Sequence, residues 1–370
     1  MIAPRLGRHA VASVFRLGSC QFPVNQQSLR YMSKLTSRSV VTSGRMKMPV
    51  FGLGTWQSPP EDIDTALKVA IQTGYRHIDT AYSYQNETAI GASLAKMFDT
   101  GKIKREDLFI VTKLPMIGNR AEDVEVFLRK SLENLKLDYV DLYLIHIPIG
   151  MVNRGLNVIF PKDEQGNLLI DHSTNIVEVW KAMEAQVDAG RTKNIGLSNF
   201  NQSQIKRILD NCRIHPTNLQ VEMHIYLQQK DLVSFCKQND ITVCAYSSLG
   251  SPALLTVMKH RGFSTEGVRV LRPMEDPLII EIAKRYNKQP SHILLRYLIE
   301  YGVVVIPKST NPSRIKQNFE VFDFELTKEE FERISALDRG EEGRIFGGRG
   351  NKGNFRVRIE GSLCNFRLVL

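Results

Sequence analysis

Short apolar runs alternate with longer amphipathic stretches along most of this chain. The runs are typical of strands buried on both faces of a parallel sheet. The stretches between them follow the i, i+3, i+4, i+7 spacing of one face of a helix and are mostly apolar at those positions; one example is Val124, Phe127, Leu128, Ser131, Leu132 and Leu135. The candidate strands are residues 51–54, 75–78, 108–112, 141–145, 193–197, 218–221, 242–246 and 303–306. This alternation predicts an α/β fold, either a closed (β/α)8 barrel or an open doubly wound sheet.

Two connections are too long to be simple turns. Residues 147–172 contain several glycines and Pro161, and residues 247–275 contain a short helical pattern. Long loops at the carboxyl ends of barrel strands are usually functional. Thr327 and Glu330 form a capping-box pattern that predicts the start of a helix. A turn at residues 42–44 predicts a hairpin over residues 39–50.

Ionisable residues of three kinds stand at strand exits. Asp79, Lys113 and His146 each directly follow a predicted strand, and Tyr84 lies in the loop after the first of these strands. A buried Lys113 needs a partner such as Asp79, and we expect a cation beside Tyr84 to lower the pKa of its phenol. Tyr84 would then be a general acid toward a carbonyl oxygen that His146 orients and polarises. Each residue type alone is more often structural, but four at strand exits favour a catalytic site.

The net charge of +10 is located at the two ends of the chain. The first 47 residues hold eight basic residues and no acid, and residues 344–370 hold six basic residues and one acid, so residues 48–343 carry a net −3. A slightly acidic body argues against a nucleic-acid surface. No stretch is long and apolar enough to predict a membrane span. The five cysteines form no CxxC pair and no ligand cluster, so we expect free thiols and no metal.

The ends of the chain differ in character from its body. Residues 1–45 are rich in Arg and Ser, which is typical of a mitochondrial presequence, although an alternative start or an overextended gene model gives the same pattern. We therefore divide the chain into an extension (1–45), a barrel domain (46–346) and an atypical, Gly- and Arg-rich tail (347–370). We expect a cytosolic protein, or one of the mitochondrial matrix if the extension is a presequence.

Several motifs together are similar to the aldo-keto reductase superfamily, nearest to the aldose and aldehyde reductases of animals. They are Gly54-Thr55-Trp56, residues 79–84, Lys113, His146, residues 196–200 and residues 306–309, in family order between about Met48 and Asp338. The resemblance favours the (β/α)8 TIM barrel over the open sheet and implies a catalytic tetrad of Asp79, Tyr84, Lys113 and His146. Beyond about Phe346 the family pattern is lost.

The resemblance also implies a bound NADPH or NADP⁺. No Gly-x-Gly-x-x-Gly fingerprint follows a strand, so a Rossmann site is not expected. Lys308 and Arg314 supply charge for a 2′-phosphate, and Ser309 or Asn311 would start a short helix there. In the family pattern Ser198, Asn199 and Gln220 bind the nicotinamide carboxamide and Tyr246 stacks on the ring. The remaining cofactor-binding candidates are Thr55, Trp56, Asp79, Ser247, Leu249, Ser251, Thr310, Gln317 and Asn318.

The substrate pocket implied by the resemblance is lined by Trp56, Tyr84, His146, Ile147 and Phe160. Family members often carry an aromatic residue where this chain has Ile147. We therefore expect a roomier pocket that accepts bulkier carbonyl compounds, including steroid-like ones. The partner is a small-molecule carbonyl substrate, and we expect a monomer. Alternatives on the same fold are a cofactor-binding regulatory subunit and a structural protein of the crystallin type; turnover of 4-nitrobenzaldehyde with NADPH would distinguish them from an enzyme.

The N-terminal extension yields a first testable prediction. Residues 1–31 lack acids and continue no strand or helix pattern of the barrel. A chain that starts at Met32 should therefore fold and reduce aldehydes as the full chain does, measured by NADPH oxidation. Loss of folding in the shortened chain would show that the extension belongs to the domain.

Overall fold

The computed structural model describes residues 35–260, 265 and 270–346, and the strands 355–359 and 362–366. Contacts divide the chain into two units, Met1–Ser33 and Lys34–Leu370, and the barrel belongs to the second unit. Most of the predicted N-terminal extension, residues 1–34, lies outside the described residues. Of the predicted tail, the structure describes only an antiparallel hairpin of two strands. The division into extension, barrel and tail stays a prediction.

The strands in chain order begin with a hairpin and continue into the barrel. They are β1 (Val40–Ser43), β2 (Met46–Pro49), β3 (Gly52–Gly54), β4 (His77–Asp79), β5 (Phe109–Leu114), β6 (Leu142–Ile145), β7 (Gly150–Met151), β8 (Ile170–Asp171), β9 (Ile195–Ser198), β10 (Asn218–Glu222), β11 (Thr242–Tyr246), β12 (Val304–Val305), β13 (Phe355–Ile359) and β14 (Ser362–Phe366). The predicted hairpin over residues 39–50 is confirmed by the β1–β2 pairing. The predicted boundary between residues 45 and 46 falls within it.

The helices follow the barrel strands as the amphipathic pattern predicts. They are α1 (Pro60–Thr73), α2 (Glu87–Asp99), α3 (Ala121–Leu135), α4 (Ile176–Asp188), α5 (Gln202–Leu209), α6 (Lys230–Gln238), α7 (Leu254–His260), α8 (Pro277–Arg285), α9 (Pro290–Glu300), α10 (Pro312–Asn318) and α11 (Lys328–Ser335). The predicted face of α3 is buried against the sheet, and α11 begins with the predicted capping box of Thr327 and Glu330. In the described part of the chain, no helix is long and apolar enough to cross a membrane.

Eight parallel strands form one sheet in the order β3, β4, β5, β6, β9, β10, β11, β12. Parallel bridges from Phe51 to Val305 and from Gly54 to Lys308 join its two edges, so the sheet closes into a barrel. Gly54 permits this closure because a Cβ there would lie 2.7 Å from the carbonyl oxygen of Ile306. The predicted (β/α)8 barrel is therefore confirmed, and the open sheet is excluded.

The barrel interior is filled by inward-facing apolar side chains, and side chains of the β1–β2 hairpin close one end of it. Phe109, Val111, Leu142 and Leu144 belong to one buried cluster that also contains Met46 and Met48 of the hairpin. Side chains alternate between the two faces of a strand, so the next inward positions above Val111 and Leu144 are residues 113 and 146. The packing of the core therefore directs Lys113 and His146 to the carboxyl rim.

Candidate active site

Lys113 is the centre of the polar cluster at the top of the barrel. Its side chain is fully buried, and its Nζ lies 2.6 Å from Asp79 Oδ1 and 2.8 Å from the carbonyl oxygen of Thr80. The same nitrogen lies 3.3 Å from the Tyr84 hydroxyl. Gln220 completes the set by donating from Nε2 to Asp79 Oδ2 over 2.7 Å. The structure thus brings together the predicted Lys113, Asp79 and Tyr84 around one buried charge.

Two of these residues lie within strands rather than one step beyond them, which corrects the predicted strand ends. Asp79 is the last residue of β4, and Lys113 precedes the last residue of β5. The ladder continues to both positions because Asp79 pairs with Val111 and Lys113 pairs with Leu144. The single sequence shows where apolar residues stop but not where a neighbouring strand still offers hydrogen bonds. His146 directly follows β6, as predicted.

The expected lowering of the Tyr84 pKa was wrong in its net direction. Burial raises the pKa of Tyr84, the charge of Lys113 opposes this, and the nearby Asp79 adds to the increase. Lys113 is closer to Asp79 than to Tyr84, so Asp79 offsets part of its field. The Tyr84 phenol therefore stays protonated at neutral pH and can donate its proton. For Lys113 itself burial lowers the pKa, but Asp79 and Tyr84 outweigh burial and raise it.

His146 lies beside Tyr84 at the floor of the cavity. The centroids of the two rings are 5.7 Å apart, with an angle of 74° between their planes. Burial, and next the charge of Lys113, lower the pKa of His146 to about 3. The imidazole is therefore neutral at physiological pH and retains one N–H donor. A neutral donor beside a phenol can hold a carbonyl oxygen between them.

A cavity of 2010 Å³ opens above this cluster. It brings together nearly all of the predicted site residues. The lining includes Trp56, Asp79, Tyr84, His146, Ile147, Phe160, Ser198, Asn199, Gln220, Tyr246, Ser247, Leu249, Ser251, Lys308, Ser309, Thr310, Arg314, Gln317 and Asn318. Two predicted residues lie outside the lining: Lys113, which is fully buried beside Asp79, and Thr55, which is buried and donates its hydroxyl to the carbonyl oxygen of Asp79 over 2.9 Å. Thr55 therefore supports Asp79 rather than lining the cavity.

Three polar residues on the cavity wall hold one another in place. Tyr246 donates from its hydroxyl to Asn199 Oδ1 over 2.7 Å, and Asn199 Nδ2 donates to the carbonyl oxygen of His146 over 2.9 Å. Asn199 has a positive φ of 64°, which turns the chain at the end of β9. These bonds link the wall to the backbone of His146.

Lys308 and Arg314 form a basic part of the cavity lining. The side chain of Asn311 caps α10 by accepting from the backbone N–H of Arg314 over 3.0 Å, which confirms Asn311 as the helix start. Ser309 in turn accepts from the N–H of Asn311. Partial burial lowers the pKa of Lys308, as does the charge of Arg314, while Asp62 raises it. Two cations that disfavour each other's charge make a suitable site for an anion.

Phe346 and Glu222 were missed by the sequence analysis. Phe346 lines the cavity near Trp56, and Glu222 at the end of β10 is fully buried. A carboxylate that ends a buried strand, as Asp79 does, was the signal that could have drawn attention to Glu222. Nothing in the sequence places Phe346, because its neighbours are distant in the chain. Among the described residues, no group of three or more His, Cys, Asp or Glu side chains could hold a metal ion.

Comparison with known proteins agrees with the fold. The sequence profile described as "Aldo/keto reductase family" matches residues 50–339. The chain is 45% identical over 308 residues to aldo-keto reductase family 1 member C15 of Rattus norvegicus, covering 82% of this chain and 92% of that protein. Against aldo-keto reductase family 1 member A1 of Homo sapiens the identity is 44% over 294 residues, covering 79% and 87%. The solved structure of the aldose reductase from Schistosoma japonicum is 40% identical with a TM-score of 0.73, covering 82% and 92%.

The closed parallel barrel carries a buried Lys–Asp pair beside a tyrosine at its rim. The chain belongs to the Aldo/keto reductase family, in the animal aldose and aldehyde reductase branch. It is an oxidoreductase of the carbonyl-reducing type, and members of this family generally use NAD(P)H.

Proposed function

We propose that this protein reduces aldehydes and ketones to alcohols with NADPH, and that Tyr84 is the proton donor. The observation that carries the proposal is the buried Lys113, whose Nζ contacts both Asp79 and the hydroxyl of a tyrosine that lines the cavity. Such a cluster is suited to protonate an oxygen that becomes negatively charged. The experiment that tests it is NADPH oxidation by the purified protein with 4-nitrobenzaldehyde, followed at 340 nm.

The roles of the four polar residues follow from their contacts. The neutral ring of His146 donates a hydrogen bond to the carbonyl oxygen and orients it toward Tyr84. As charge develops on that oxygen, the Tyr84 hydroxyl transfers its proton to it. Lys113 then stabilises the tyrosinate from 3.3 Å, and Asp79 holds the ammonium in place. The phenol is activated only when the substrate oxygen becomes basic, in keeping with its raised pKa.

The residues along the cavity fit a nicotinamide dinucleotide phosphate. The cavity lining combines amide, hydroxyl and aromatic side chains with the cations Lys308 and Arg314. Ser198, Asn199 and Gln220 would bind the carboxamide, Tyr246 would support the ring, and Lys308 and Arg314 would bind the 2′-phosphate. When bound, the cofactor would supply the hydride, because the side chains of the site move only protons.

The exposed guanidinium of Arg314 provides a test of cofactor choice. It lies on the cavity wall near Lys308, and no hydrogen bond to another described residue engages its side chain. Arg314→Ala should weaken NADPH binding by roughly 10- to 150-fold, as expected for losing a charge-assisted contact of ~1.5–3 kcal/mol, and should change NADH binding much less. Titration of protein fluorescence with each dinucleotide measures both dissociation constants.

Lys316 supplies the matched control for Arg314. It is exposed on the same short helix but lies outside the cavity lining, so Lys316→Ala should leave both dissociation constants within about twofold. If Arg314→Ala weakened the binding of NADPH and NADH equally, Arg314 would not contact the 2′-phosphate.

The substrate class is set by the wall above Tyr84, where Trp56, Ile147 and Phe160 line the cavity. We propose small aromatic aldehydes together with bulkier ketones, including steroid-like compounds, as substrates. A cytosolic monomer, or a matrix protein if residues 1–31 target it, remains part of the same proposal. A panel of carbonyl compounds with the purified protein tests the substrate range.

A further inference from the structure

Residues 340–346, called the closing segment here, run across one side of the cavity. A 3-10 turn at Gly340–Gly343 leads into Arg344, Ile345 and Phe346. The ring centroid of Phe346 lies 6.0 Å from that of Trp56 and 5.9 Å from that of Tyr246, with both ring pairs in edge-to-face geometry. Phe346 therefore packs against both Trp56, which lines the predicted substrate pocket, and Tyr246, which is predicted to stack on the nicotinamide ring.

The closing segment is held by a carboxylate from inside the barrel. Glu222 accepts from the backbone N–H of Ile345 over 2.7 Å and from that of Phe346 over 2.8 Å, one bond to each carboxylate oxygen. His224 lies 3.0 Å away through Nε2, while its Nδ1 accepts from the N–H of Tyr226, so Nε2 carries the proton and is the donor. The two carboxylate oxygens of the fully buried Glu222 thus face three donors.

The turn before Phe346 fixes the segment from the other side. Arg339 donates from its backbone N–H to the carbonyl oxygen of Tyr226 over 2.9 Å, and a Cβ at Gly343 would lie only 1.9 Å from that oxygen. The hydroxyl of Tyr226 donates to Asp276 over 2.7 Å. The closing segment thus rests on the chain that follows β10, with Glu222 as its innermost attachment.

We infer that Glu222 is a positioning residue for substrate selection: it holds Phe346 against Trp56 and Tyr246 and so shapes the wall that small aromatic aldehydes contact. The inference rests on the proposed reductase function. Glu222 does not touch Lys113, Tyr84 or His146, so the proton-transfer residues keep their places when the segment loosens. Its effect should therefore fall on KM for small aromatic aldehydes and leave kcat nearly unchanged.

Glu222→Gln is the informative change because it keeps the size of the side chain. One acceptor oxygen becomes an NH2 group, which must then face a backbone N–H or the Nε2–H of His224, so at least one donor opposes another donor. Phe346→Ala removes the aromatic wall but keeps the backbone N–H groups that Glu222 binds. Comparing the two variants separates the effect of the Glu222 hydrogen bonds from the effect of the Phe346 side chain.

Glu184 offers a matched control. It is also buried, and its Oε1 accepts from the backbone N–H of Arg213 over 2.7 Å and from that of Ile214 over 2.8 Å. It lies on α4, outside the cavity lining. Glu184→Gln therefore makes the same substitution at a buried carboxylate that binds backbone N–H groups, and it should have no effect on the cavity.

The experiment measures amide hydrogen exchange and kinetics on the full chain. In Glu222→Gln, exchange at Ile345 and Phe346 should rise by about tenfold or more, while Phe346→Ala and Glu184→Gln leave the exchange of Ile345 near wild type. KM for 4-nitrobenzaldehyde should rise about three- to tenfold in Glu222→Gln and Phe346→Ala, with kcat within about twofold. The variant carrying both changes should have a KM close to that of the worse single variant.

Two results would overturn the inference. One is unchanged exchange at Ile345 and Phe346 in Glu222→Gln. The other is a KM in Glu222→Gln that matches Glu184→Gln rather than Phe346→Ala. If the wild-type protein does not turn over 4-nitrobenzaldehyde or any other carbonyl compound with NADPH, the proposed function fails instead. The exchange measurement then tests only whether Glu222 holds the backbone of Ile345 and Phe346. The role of Glu222 in substrate selection is rejected together with the reductase function.

Discussion

Tyr84→Phe should lower aldehyde reduction by ~10²-fold or more while NADPH binding stays close to wild type. The change removes the hydroxyl that lies 3.3 Å from Lys113 Nζ but keeps the ring that packs edge-to-face with His146. The cavity therefore keeps its shape and loses its proton donor. Steady-state kinetics with 4-nitrobenzaldehyde measures the first effect, and quenching of protein fluorescence by NADPH measures the second.

Tyr82 makes the matched control for this change. It lies on the same 3-10 turn, but its hydroxyl donates to the carbonyl oxygen of Leu156, outside the cavity lining. Tyr82→Phe should keep turnover within a few-fold, since it loses one ordinary hydrogen bond of about 0.5–1.5 kcal/mol. Near-normal turnover in Tyr84→Phe would assign the proton to another donor, with His146 the next candidate.

Lys113→Met should also lower turnover by ~10²-fold, because no cation would then stabilise the tyrosinate that forms at Tyr84. Unlike Tyr84→Phe, it should destabilise the fold, by about 3–5 kcal/mol, since Asp79 is left as a buried charge without its cation. Thermal and urea unfolding measure the second effect. Asp79→Asn should be milder in activity, because Lys113 keeps its charge and loses only its anchor.

Lys193 provides the control for Lys113. It pairs with Asp141 at 3.2 Å, but about half of its side chain is exposed, so Lys193→Met should cost at most about 1 kcal/mol and leave turnover unchanged. The double variant of Tyr84→Phe with Lys113→Met should turn over nearly as fast as the slower single variant, because the two residues act as one unit. Multiplied losses in the double variant would show that Lys113 and Tyr84 act independently.

Much of the fold could be predicted from the sequence, because the core imposes local patterns. The apolar positions of α3 and the capping box of α11 were identified correctly, since a helix with one buried face repeats with its own period. The eight strands were found for the same reason, with errors of one or two residues at their ends. Those ends depend on the neighbouring strand, as at Lys113, which pairs with Leu144.

The residues of the candidate site could be named from the sequence, but their contacts could not. Residue type and position at a strand end pointed to Asp79, Tyr84, Lys113 and His146, and the barrel closes so that they meet. The net direction of the Tyr84 pKa, however, depends on the balance between lost hydration, the charge of Lys113 and the charge of Asp79. That balance is set by burial and by differences of tenths of an ångström, which no sequence pattern encodes.

What the sequence by itself determined is the order of strands and helices and the kinds of side chain that the barrel rim carries, because both follow from local patterns of apolar and polar residues. The tertiary structure alone decided that Thr55 supports Asp79 from within and that Glu222 holds the backbone of Phe346, a residue 124 positions later in the chain. Contacts between residues so far apart arise only when the strands close into a barrel and the closing segment packs across its rim. The wall of the cavity is therefore a property of the folded chain.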